Sequence, residues 1–413
     1  MKKIISHPLF SGSALMVGGS MFINVINYFY HLIFGRLLGP VDYGILASLY
    51  SILYIVGIVP TSTSVAIVKF ISSCRNDDEI SLVYKSLNKL ILLIALILAG
   101  IMLISSSFIA KFLHIDNVFS VLLISPILFF SLITLINQAT SQGILKFMGF
   151  ILPAFVSSIG KLLFGVLFIV LGFSVFGAMG GILLGAIFTY LISTSSVREI
   201  ANRNIKRIKY NFKPFFKYSL PVLIQALSFT SIFTIDVILV KHYLSPFEAG
   251  IYAALSTLGK IIFFASAPIA SAMFPIVVKK KVQNENYVRI FMISLIATAG
   301  IGILITLVYW LFPELIINIL YGNAYLLAKS ELVFMGIFVL FYSLSSCLVN
   351  FLLSISKTTA VIFPLLAAII QPILIYLYHG NISEIIKVSM FTTITMFLLI
   401  FMFMSYNFMK RKI

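Results

Sequence analysis

Lys161 and Lys260 stand inside long apolar runs, ILPAFVSSIGKLLFGVLFIV and GIYAALSTLGKIIFFASAP. A lone ammonium in such a run costs a few kcal/mol on insertion scales, and such groups face a cavity or pair with another polar group. At ~1.5 Å per residue each lysine lies roughly 16 Å from the nearer end of its run, too deep to reach an interface. A serine precedes each by one turn, Ser157 and Ser256. The chemistry open to a compact ammonium at that depth is point-charge binding of a phosphate group. For Lys260 a second reading has equal weight. Asp236 lies at a similar depth in the preceding run and could hold Lys260 in a structural pair. The two roles coexist if an anion displaces the carboxylate. Lys161 shows no acidic residue in its own or an adjacent run.

Other polar residues fall into patterns. Ser20, Asn24, Asn27 and His31 are spaced 4, 3 and 4, so they share one helix face. The stripe suits a water-filled lumen, or else interhelical hydrogen bonding. His31 could titrate near neutral pH, which makes it a candidate for proton coupling or for an orienting role. Gln225 and Asp236 are eleven apart and share a face. Asn137, Gln138, Ser141 and Gln142 form a cluster, Ser343, Ser346 and Asn350 follow helical steps, and Gln371 precedes Pro372. Each can line a cavity or serve as helix-packing glue. There is no Walker A sequence. Cys74 and Cys347 have no metal-type spacing or disulfide framework. No catalytic residue, cofactor or metal is expected.

The elements that must position these residues are membrane helices. The 413 residues are 61% hydrophobic and 10% charged, against about 25% charged in soluble domains. Breaks at charges, Pro and Gly predict about twelve spans of near membrane length, at 11–35, 44–70, 89–109, 118–140, 150–172, 176–196, 217–243, 250–277, 288–311, 327–352, 358–378 and 384–407. The alternating ~10-residue pattern of a transmembrane β-barrel is absent. The basic start, MKKIISHPLF, leads into an apolar stretch too long for a signal peptide, so it reads as an uncleaved first span.

The net charge of +17 invites a nucleic-acid reading. Its distribution points elsewhere. With the N-terminus inside, 22 of the 29 Lys and Arg fall on the inner side. Five fall outside: Arg36, Lys111, Lys241, Lys329 and Lys387. The positive-inside rule then puts both termini in the cytoplasm. The basic segment 198–216 reads as a cytoplasmic linker attracted to anionic headgroups, with a lipid or nucleic-acid patch as the alternative.

That linker sits halfway along the chain, and a repeat spans it. LLGPVDYGILASL (37–49) aligns with YLSPFEAGIYAAL (243–255) at an offset of 206. Pro40 meets Pro246, Asp42 meets Glu248, Gly44 meets Gly250 and Ala47 meets Ala253. The expected organisation is a six-helix lobe over 1–197, the linker 198–216 and a second lobe over 217–413. An even number of spans per half gives a pseudo-two-fold along the membrane normal, as in secondary transporters. Pro60 and Pro268 are expected to kink their helices.

GRLLGPVDYGILASL resembles the opening motif of the polysaccharide transporters of O-antigen flippase type, in the multidrug/oligosaccharidyl-lipid/polysaccharide exporter superfamily. YLSPFEAGIYAALSTL, FKYSLPVLIQAL and ILYGNAYLLA are similar to later stretches of the same family. The resemblance covers nearly the whole chain. It implies an all-α membrane protein of twelve helices in two lobes. It also implies a lipid-linked oligosaccharide on an undecaprenyl pyrophosphate carrier as substrate, and the cytoplasmic membrane as location. Polysaccharide polymerase and glycosyltransferases would be partners. Flippases of this superfamily line a central cavity with cations, and span eight commonly supplies one; Lys161 and Lys260 are the candidates here. Apart from the resemblance, Asn24, Asn27, His31, Gln225 and Asp236 are cavity candidates, and Gln138, Gln142 and Asn350 are as well placed to meet sugar hydroxyls as to serve as helix-packing glue. Arg36 would snorkel to headgroups or guard the outer mouth. Three rivals remain: a drug/cation antiporter using Asp236, a membrane enzyme and a partner subunit.

Overall fold

The computed structural model describes residues 8–205 and 212–409. Lys2, Lys3, Lys206, Arg207, Lys209, Lys410, Arg411 and Lys412, which weigh in the charge count, lie outside the described residues. Among the described residues there are helices and turns and no strand. The helices are α1 (Pro8–Val56), α2 (Ile58–Ser72), α3 (Asp77–Phe112), α4 (Val118–Leu122), α5 (Ile124–Gly143), α6 (Met148–Phe168) and α7 (Ser174–Asn202). After the linker come α8 (Lys213–Tyr243), α9 (Pro246–Val282), α10 (Val288–Leu311), α11 (Pro313–Leu320), α12 (Leu332–Ser354), α13 (Ile362–Leu377) and α14 (Ile382–Met409).

Among the described residues, ten helical stretches are long and apolar enough to cross a membrane. Two of the ten each join neighbouring expected spans across a kink where the backbone is non-helical. Within α1, Gly39 has φ 69° and ψ 175°, a backbone state that only glycine adopts at little cost, and Pro40 follows. Between α6 and α7 the reversal is a single π-helical turn, Ile169–Phe173, ending on Gly172 at φ 91° and Ser174 at φ 44°. The break expected at Pro60 falls at Gly57, leaving Pro60 in the first turn of α2, where a missing N–H costs nothing. α9 runs through Pro268 and Pro275 without interruption.

The chain divides into two compact units. The first takes in the chain up to Leu38 and Ile52–Ala226. One core cluster joins Ala66, Ile67 and Ile71 of α2, Val83, Tyr84, Leu87 and Ile91 of α3, Ile136 and Ala139 of α5, Val197 of α7 and Phe215 of α8. Asn76 caps α3 by accepting the Glu79 N–H at 2.9 Å, and Asp77, Asp78 and Glu79 in the first turn favour the helix dipole. Arg203, at the start of the linker, donates to Asp77 (2.8 Å) and Asp78 (2.6 Å), and Lys85 donates to its carbonyl (2.6 Å). The two carboxylates hold the Arg203 guanidinium above its usual pKa.

The second unit holds Gly39–Ser51 and the chain from Leu227 onward. Within it the two repeat motifs touch. A Cβ placed on Gly44 would lie 2.8 Å from the Gly250 nitrogen, and one on Gly250 would collide with the Pro40 carbonyl. The hydroxyl of Tyr43 sits 3.0 Å from those of Thr257 and Tyr321, and all three aromatic rings of Tyr43, Tyr321 and Tyr325 are buried. α9 starts with a capping box, in which Ser245 and Glu248 satisfy each other's backbone N–H groups and Pro246 takes the first helical position.

Candidate functional site

In the first unit, Lys161 on α6 is set by the packing of α6 against α7. The stretch GAMGGILLG places Gly177, Gly181 and Gly185 on one α7 face. A Cβ on Gly185 would meet the Ser157 carbonyl at 3.1 Å and the Lys161 nitrogen at 3.2 Å, so the missing side chain lets the helices close here. The Lys161 ammonium lies over the Tyr30 ring, 4.9 Å from its centroid. Tyr30 stacks on Phe34 at 3.9 Å and 25°. The Phe34 ring in turn fills the space that Gly165, one turn beyond Lys161, leaves beside its Cα. Tyr30 and Phe34 are fully buried, whereas Lys161 is half-buried.

In the second unit, Lys260 on α9 is held in the same manner. Its ammonium lies over the Phe233 ring of α8, 4.8 Å from the centroid. Phe233 stacks on Tyr342 of α12 at 4.7 Å and 17°. The Tyr342 hydroxyl donates to the Phe229 carbonyl at 3.2 Å. Each unit thus presents a lysine on a pair of stacked rings. The negative ring face attracts the cation by about 0.5–2 kcal/mol.

Asp236 occupies a different setting from the one the residue count allowed. It lies within electrostatic range of Lys260. However, no nitrogen–oxygen approach within 4.0 Å joins the two among the described ion pairs. The fully buried carboxylate accepts from the Tyr252 hydroxyl at 2.7 Å and from the Val237 N–H at 2.9 Å. Ser389 also bonds Tyr252, and Gln371 donates to Ser389 at 2.9 Å. Asp236 therefore belongs to a buried polar chain through α8, α9, α14 and α13.

The remaining candidates separate. Asn24 is exposed, and Asn27 and His31 are half-buried along α1 beside Tyr30, with the His31 ring edge-on to Tyr30 at 5.5 Å. Arg36 is exposed. Gln138 donates to the Phe150 carbonyl at 3.3 Å, and Gln142 and Gln225 are half-buried. Asn350 donates to the Ser346 carbonyl of its own helix at 2.9 Å. Asn137 is helix glue, bonded to Tyr84 (2.9 Å) and Ser193 (3.0 Å). Lys241, counted above among loop cations, is 2% exposed, because the last turn of α8 is packed rather than solvated. The residues that the sequence reading missed are the rings Tyr30, Phe34, Phe233 and Tyr342. Their only sequence signal is the i, i+4 aromatic spacing of Tyr30/Phe34 and Phe229/Phe233.

Among solved structures, the chain is similar to the lipid II flippase MurJ in an inward closed conformation, with a TM-score of 0.77 at 16% identity over 95% of this chain and 87% of that one. It is also similar to an inward-facing multidrug resistance MATE family transporter of the MOP superfamily, with a TM-score of 0.74 at 14% identity over 92% and 94%. A MOP superfamily transporter from Pyrococcus furiosus, whose binding pocket is described as of reverse polarity, gives 0.63 at 15% identity over 96% of both chains. These likenesses establish an all-helical, two-lobe transporter fold. No curated protein matches the chain. The MatE family profile matches residues 221–377, and the profile described as polysaccharide biosynthesis protein matches residues 9–281. With about two thirds of its length in the latter match, the chain belongs to the polysaccharide biosynthesis protein family.

Proposed function

We propose that this protein is a flippase that carries a polyprenyl-pyrophosphate-linked oligosaccharide across the cytoplasmic membrane by alternating access, for surface polysaccharide such as O-antigen. The observation that carries this reading is the pair of ring-seated lysines, Lys161 and Lys260, in a chain of the polysaccharide biosynthesis family. A doubly charged headgroup needs fixed positive charge along its path, and a lysine ammonium supplies it. The sugar would meet Asn24, Asn27, His31, Gln138, Gln142, Gln225 and Asn350, while the polyprenyl tail stays in lipid. Both termini lie in the cytoplasm on this reading, in keeping with the basic linker and ends. An inside-negative potential then favours outward movement of the headgroup, by ~2.3 kcal/mol per charge per 100 mV. The chemistry of making and polymerising the glycan belongs to glycosyltransferases and a polymerase acting before and after it; this chain acts as a carrier.

The test is translocation of lipid-linked oligosaccharide in proteoliposomes by Lys161→Ala and Lys260→Ala variants. Loss of at least tenfold in rate at normal yield is expected. Wild-type rates in both would overturn the cationic path.

A second reading, export of drugs or cations, draws on the MatE match over 221–377, which contains the buried Asp236. It expects Asp236→Asn to abolish efflux of a cationic dye, with the lysine variants unaffected. The flippase reading expects no such efflux from the wild type.

A further inference from the structure

Lys161 and Lys260 come from different places in the repeat. At the offset of 206, Lys161 falls opposite Ala367 and Lys260 opposite Tyr54, so neither lysine copies the other. Yet both end in one local arrangement. Lys161 lies 4.9 Å over Tyr30, which stacks on Phe34. Lys260 lies 4.8 Å over Phe233, which stacks on Tyr342. The lower ring of each pair is anchored independently, Phe34 against Gly165 and Tyr342 through its bond to the Phe229 carbonyl. The upper ring therefore cannot tilt away without disturbing a buried neighbour, and the ammonium has a fixed seat. A ring face attracts an ammonium and sets where it sits.

We propose that Tyr30 and Phe233 are positioning residues for the anionic headgroup. Each fixes its lysine's ammonium where a phosphate is bound. This rests on the reading of Lys161 and Lys260 as the cationic path. The same device occurs once in each unit. Affinity for the headgroup then depends on ring electron density, whereas the rate of the conformational step does not.

The experiment replaces Phe233 by phenylalanines bearing one, two and three ring fluorines, and does the same at position 30 on a Tyr30→Phe background. Fluorination drains the ring face and leaves its shape, so folding is preserved. Translocation of lipid-linked oligosaccharide is measured against substrate concentration in proteoliposomes, beside Lys161→Ala and Lys260→Ala. The half-saturating concentration is expected to rise stepwise, reaching roughly 3- to 10-fold with three fluorines, at unchanged maximal rate. Tyr30→Phe and Phe233→Tyr, which keep a ring, are expected to retain the wild-type value. A flat series at both positions, with the lysine variants inactive, overturns the proposal and leaves the cationic path standing. A response at one position alone overturns it for the other. Lysine variants of wild-type activity would remove the cationic path itself, and the proposal with it.

Discussion

Gly44 and Gly250, counterparts across a repeat of 206 residues, lie against one another in the same unit, close enough that neither has room for a side chain. The contact is backbone to backbone, so no rotamer change can relieve an added methyl group. Gly250→Ala is expected to destabilise the protein by about 1–3 kcal/mol, since overpacking here must shift a helix. Gly100→Ala and Gly300→Ala, where a Cβ would meet nothing within 4 Å, are expected to leave stability unchanged or slightly raised. Thermal unfolding of purified protein in detergent, followed by size-exclusion fluorescence, separates the two outcomes. An unaltered midpoint for Gly250→Ala would show that the contact is loose.

Tyr252→Phe removes a side-chain donor to a fully buried carboxylate that also accepts from the backbone. Leaving one oxygen of Asp236 unpaired costs about 1–3 kcal/mol, or more while the group is ionised. The expected readout is a lower unfolding midpoint that the double variant Tyr252→Phe/Asp236→Asn restores in part. An unchanged midpoint in the single variant would mean that another group takes over the bond.

Asn137→Leu tests a buried polar residue that bridges two other helices. It severs bonds to Tyr84 and Ser193 at once. In a membrane such bonds average about 0.6 kcal/mol each, so a loss of roughly 1 kcal/mol in stability is expected. The half-saturating substrate concentration of the surviving protein is expected to stay at the wild-type value. A shift in that value would return Asn137 to the cavity.

Arg203 holds the start of the basic linker to the first turn of α3 through exposed ion pairs. Exposed pairs contribute at most about 1 kcal/mol and are screened by salt. Asp77→Asn/Asp78→Asn is therefore expected to leave the unfolding midpoint unchanged. Trypsin cleavage of the linker should nevertheless accelerate several-fold at low salt, with the difference fading as salt rises. Equal cleavage rates at low salt would show that Lys85 suffices as the anchor.

The span positions were legible because apolar length, Pro and Gly are local properties. The way adjoining spans connect was not. At Gly39, and at Gly172 and Ser174, single residues of positive φ turn the chain between two helices. The lysines were legible as outliers of charge in an apolar run. Their seats were not, since Tyr30 and Phe233 look like any other apolar helix residue until another helix brings an ammonium over the ring. Lys241 shows the reverse case, a cation at a helix end that packing buries where topology counting assumed solvent.

Residues 39–51 are bracketed on both sides by chain of the first unit but pack as part of the second. Cutting the protein in its linker would thus yield two fragments, and neither would own all of its fold. The C-terminal fragment would lack a borrowed segment that carries Tyr43, Gly44 and the wholly buried Leu46 and Leu49. Supplied as separate genes, the halves should reassemble only when made together, with the N-terminal piece acting as an obligatory template for its neighbour.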